Sequence, residues 1–82
     1  MTPAEREVLQ EFSTRTWALQ REANERGDVA LASRYGTLHD NAQRMIKTGG
    51  GSPTLRKMFK RNLDDLQRYE EGFYDRLVKM LG

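Results

Sequence analysis

Two interruptions divide this chain and constrain its fold more than any other feature. One is Gly27-Asp28, and the other is the run Thr48-Gly49-Gly50-Gly51-Ser52-Pro53. Each pairs a residue that ends helices with a residue that starts them. Glycine adopts the left-handed conformation that follows a helix end at no steric cost, and Asp or Ser accepts hydrogen bonds from the first free amides of the next helix. Proline at a first helical position loses an N–H that would be unpaired there anyway. The chain therefore reads as three helical stretches joined by one tight turn and one Gly-rich linker.

The first stretch opens on Thr2, Pro3 and Glu5, a capping box with proline in the first turn. From Pro3 to Arg26 it has no further Gly or Pro. Val8, Leu9, Phe12, Thr16, Leu19 and Ala23 recur on one stripe at about 100° per residue. In the second stretch Leu31, Tyr35, Leu38, Ala42 and Met45 alternate four- and three-residue steps, the spacing of antiparallel helix packing. Gly36 sits inside this stripe region, either as a tolerated glycine or as a point of close approach. The third stretch presents Leu55, Phe59, Leu63, Leu66, Phe73, Leu77 and Leu81, flanked by Met58 and Tyr69 on one side and by Tyr74 and Val78 on the other. The spacing predicts an all-α, three-helix antiparallel bundle with helices over about 3–26, 28–47 and 53–81, the third longest. It would be one helical domain over 1–82, with a flexible Gly-rich loop at 48–52.

Composition narrows the function classes. The chain has 82 residues, no Cys and one His, His39, so a disulfide framework and a protein-only zinc site are not expected. Met1 to Gln10 has no apolar core of a signal peptide, and no run approaches the ~20 apolar residues that span a bilayer. The expectation is a cytoplasmic protein without cofactor, metal or membrane partner. Ser13, Ser33 and Ser52 lie in no nucleophile motif, and His39 and Asp40 diverge as helix neighbours, so no enzyme is expected. An excess of Arg over Lys and the small size suit a phage or mobile-element origin.

Glu25-Arg26-Gly27-Asp28-Val29-Ala30-Leu31-Ala32, followed by Tyr35, resembles the turn and second helix of a tetratricopeptide hairpin. The three-helix layout resembles the microtubule-interacting-and-transport domain. Both resemblances imply binding of peptides or helices in a groove. The match is short, His39 replaces a small residue of the tetratricopeptide pattern, and no second repeat follows.

Three features mark candidate sites. Trp17 lies roughly 140° from the centre of the first stripe, so it is either exposed or covered by the third helix. With Tyr69, Tyr74 and Val78 it forms the expected partner-binding set of a small adapter, inhibitor or regulatory subunit. Arg44, Lys47, Arg56, Lys57, Lys60 and Arg61 form a basic patch at one end, where Glu5, Glu7 and Glu11 could neutralise it. This patch carries the alternative reading, a nucleic-acid accessory protein, although the net charge is only +2. At the opposite end Arg21, Arg26 and Arg34 are expected to face Glu70, Glu71 and Asp75. Glu70 falls near the third stripe, where a carboxylate needs a partner or water. Pairing of the broad third-helix face with a second copy would make a homodimer.

Overall fold

The computed structural model describes residues 2–69 and Gly72. Three helices follow in the order the punctuation predicts: α1 over Pro3–Glu25, α2 over Val29–Lys47 and α3 over Pro53–Tyr69. No strand occurs among the described residues.

The turn between α1 and α2 is as short as two capped helices allow. Gly27 takes φ 78, and Asp28 N–H donates to Ala23 O at 2.9 Å while Gly27 N–H donates to Asn24 O at 3.0 Å. This is the Schellman pattern, which satisfies the last carbonyls of α1. The same Asp28 then caps α2, its carboxylate accepting from Leu31 N–H at 3.1 Å. One residue thus closes one helix and opens the next, which sets α1 and α2 side by side and antiparallel. The Gly-rich linker begins in the same way. Gly50 N–H donates to Met45 O at 2.8 Å and Gly49 N–H to Ile46 O at 3.3 Å. Ser52 Oγ accepts from Leu55 N–H at 3.1 Å and opens α3.

The core is the meeting of the three stripes. Phe12, Leu19, Ala23, Leu31, Ala32, Tyr35, Leu38, Ala42 and Leu66 are buried, with Phe59 and Leu63 packed against them. α2 is central, because α1 and α3 both pack on it. α1 and α3 meet through side chains, with the Phe12 and Phe59 rings edge to face at 5.3 Å between centroids. Such a pair adds roughly 0.5–1.5 kcal/mol beyond area burial. Thr16 sits in the core without cost to hydrogen bonding, its hydroxyl donating to Phe12 O and Ser13 O within its own helix. Asn41 is also buried, and its Nδ2 has no hydrogen-bond partner among the described residues.

Three expectations change. α3 is not the longest helix: it has 17 described residues against 23 in α1, and Gly72 lies beyond it in a turn at φ 84. An α-helical residue needs negative φ, so Gly72 is not itself part of a helix. The stripe positions Phe73, Leu77 and Leu81 lie outside the described residues, as do Glu70, Glu71 and Asp75. At the other end of the stripes, Val8 was expected in the core but is 61% exposed. α3 leaves the linker against α2, where Leu55 and Met45 crowd Gly51, and its described residues do not pack on the start of α1. Finally, of the two readings of Gly36, close approach of another backbone is not found: a Cβ there would meet only the Gln20 side chain, at 2.8 Å from Nε2.

Two substitutions separate turn from core. Gly27→Ala forces an L-residue into a left-handed conformation and should cost about 1 kcal/mol. Leu38→Ala at the fully buried centre of α2 should cost about 2–5 kcal/mol. Urea denaturation followed by helical circular dichroism measures both. Equal effects would mean that the central helix is not the main source of stability.

Candidate functional site

Capping geometry and helical spacing also place the exposed features. Trp17 lies beside the α1–α2 seam, and it is 48% exposed. The Arg21 guanidinium, one turn on, lies 4.9 Å from the Trp17 ring centroid. This is a surface cation–π contact worth roughly 0.5–1 kcal/mol. No contact of the indole with a described residue of α3 is seen, and it stays half exposed. The acids expected to face Arg21, Arg26 and Arg34 lie outside the described residues; among those described, Arg21 contacts Trp17 on its own helix. Arg26 likewise pairs with Glu22 at 3.7 Å, and Arg34 has an interaction of its own.

Beside Trp17, the α1–α2 seam carries a polar cluster that spacing did not reveal. Ser13, Thr14, Trp17, His39 and Gln43 line one open concavity. His39 Nδ1 lies 2.9 Å from Ser13 O and 3.0 Å from Ser13 Oγ. A carbonyl oxygen only accepts, so Nδ1 carries the proton and donates to it. Gln43 Nε2 donates to Ser13 Oγ. Ser13 is 1% exposed. A buried hydroxyl held by an amide, facing a ring nitrogen that already bears a proton, is not arranged as an activated nucleophile. The cluster is a polar tie between the helices. The signal available in sequence was the position of Ser13 and His39 beside their apolar stripes. Which of them would meet depends on the rotation of each helix.

The basic residues gather at the opposite end of the seam. Arg44, Lys47, Arg56, Lys57, Lys60 and Arg61 are all exposed, and none makes an ion pair among the described residues. Glu5 and Arg56 border one cavity with Leu9, Met45 and Gly49 to Gly51, so the predicted meeting of the acidic start of α1 with the basic start of α3 occurs there. The neutralisation does not extend to ion pairing. Glu11 instead bonds Arg15 on its own helix at 3.1 Å.

Next to that cavity lies an apolar groove whose Val8, Leu9 and Met45 belong to the apolar stripes of α1 and α2. Ala4, Glu5, Val8, Leu9 and Met45 line it. A neighbouring concavity adds Glu7 and Glu11 along the other side of Ala4 and Val8. Of the expected partner-binding set, Trp17 is exposed, Tyr69 belongs to α3 by its backbone, and Tyr74 and Val78 lie outside the described residues.

Among the described residues no cluster of His, Cys, Asp or Glu is arranged to hold a metal, and no helix is long and apolar enough to cross a membrane. No protein-family model, curated protein or solved structure matches this chain.

His39→Ala removes the imidazole half of the tie between α1 and α2 while leaving Ser13 Oγ bonded to Gln43 and Ser13 O bonded to Thr16. The expected loss is about 1–2 kcal/mol in thermal unfolding with helicity unchanged. A loss below about 0.3 kcal/mol would show that the cluster contributes nothing to helix pairing.

Proposed function

We propose that this chain is a non-enzymatic protein-interaction module, acting in the cytoplasm as an adapter, inhibitor or regulatory subunit that docks through α1. The observation that carries this reading is the exposure of two large apolar side chains on one helix, Val8 at 61% and Trp17 at 48%. They are nine residues apart, so at about 100° per residue they point to opposite sides of α1. Isolated surface apolar groups are ordinary. Val8 is different because it continues the buried stripe out of the core, and Trp17 because it sits over a concavity that combines an indole with polar groups. Tryptophan and adjoining Arg are the residue types that concentrate binding energy at protein interfaces.

Affinity capture from host lysate, with and without nuclease, tests this with the parent chain, Trp17→Ala and Val8→Asp. A protein retained after nuclease treatment and lost with either variant is the expected outcome. Retention of every captured protein by both folded variants would remove the reading.

The second reading, a nucleic-acid accessory protein, is supported by six exposed cations free of ion pairs among the described residues at one end of the bundle. Binding to duplex DNA or RNA should then be measurable at ~50 mM salt and fall steeply by ~200 mM, as phosphate contacts release counterions. Lys57→Glu with Arg61→Glu should abolish it. Absence of binding at the lower salt rejects this reading.

A further inference from the structure

We infer that the groove at the start of α1 is the docking site for an amphipathic helix of a partner protein that carries Lys or Arg beside its apolar stripe. This rests on the interaction-module reading and supplies the chemistry of the partner. Ala4 and Val8 are one turn apart, and Val8 is one turn before Phe12, whose ring stacks on Phe59 in the core. The groove they form with Leu9 and Met45 is therefore a continuation of the core stripe, open where α3 fails to cover it. An apolar ridge at this spacing accepts the ridge of another helix, read through anchors at i, i+3, i+4 and i+7.

The charge around the groove selects the occupant. Glu5, Glu7 and Glu11 line its two concavities, and among the described residues no Lys or Arg does. Glu7 has no ion pair among the described residues. Glu11 is held only by an exposed pair with Arg15, which contributes little and leaves its second oxygen available. Glu5 also borders the cavity that contains Arg56, so the acidic rim ends toward the linker. A helix flanked by cations meets this rim favourably. A two-fold pairing of two copies centred on Val8 would set the acidic rim against itself. An anionic lipid surface would meet the same repulsion.

Two synthetic peptides of about 18 residues, long enough to form helix on binding, provide the test. Both carry one stripe of Leu; one is flanked by Lys and the other by Glu. Titration into the isotope-labelled full chain at low salt is followed by amide chemical shifts. The Lys-flanked peptide should move the signals of Ala4, Val8, Leu9 and Met45 and bind at least about tenfold tighter than its Glu-flanked counterpart. Val8→Asp, at an exposed position, should keep full helicity and lose the binding. Glu7→Lys with Glu11→Lys should reverse the preference between peptides, and it serves if Val8→Asp unfolds.

Absence of binding by either peptide, equal binding of both, or shifts centred on Trp17 would overturn the inference. So would self-association of the parent chain that Val8→Asp abolishes, because the occupant would then be a second copy. Lysate capture that depends on Trp17 and not on Val8 would leave the interaction-module reading standing while this inference falls.

Discussion

The apolar stripe of α2 is the constraint on which the rest of the structure depends. Leu31, Tyr35, Leu38 and Ala42 are at most 4% exposed because α1 packs on one flank of the helix and α3 on the other. A short chain buries a smaller share of its surface than a large domain, so a helix contacted on two sides is its best means of excluding water from several residues at once. α1 and α3 have no comparable mutual interface. They join over the top of α2 through Phe12 and Phe59. Remove the α2 stripe and neither outer helix has a surface to bury.

That arrangement also decides what stays open. Asp28 caps α2 three residues after α1 ends, which leaves these two helices no freedom to separate. The longer linker gives α3 a choice of approach, and it settles against α2, where Leu55 and Met45 close around Gly51. The first turns of α1 are left outside this contact. Val8, Leu9 and Ala4 then form an apolar surface for the same reason that Phe12 and Leu19 form a core: they lie on one stripe. The difference is only whether a second helix reaches them.

Polar groups inside the bundle follow the same economy of partners. Thr16 turns its hydroxyl back to its own helix, and Ser13 is bonded across to His39 and Gln43. Asn41 leaves its buried Nδ2 without a partner among the described residues, which costs about 1–3 kcal/mol. Among the described residues the seam between α1 and α2 is more extensive than the contact that holds α3.

The sequence by itself determined the number, order and type of the helices, because capping and left-handed glycines act within a few residues of chain. Thr2, Gly27, Asp28, Gly49 and Ser52 each do in the fold what their local chemistry requires. It also determined most of the core, since a period near 3.6 puts Leu19, Tyr35 and Leu66 on inward faces whatever the details of packing. It did not determine where α3 stops or what it covers. Spacing carries an apolar stripe past Gly72, where φ is positive, and the same spacing counts Val8 as core although no described helix covers it. Tertiary structure alone decided the exposure of Val8 and Trp17, the meeting of Ser13 with His39 across 26 positions of sequence, and the failure of Glu5, Glu7 and Glu11 to pair with the basic end. Those outcomes depend on the rotation and separation of whole helices, which are set by the sum of contacts along α2 and not by any local pattern.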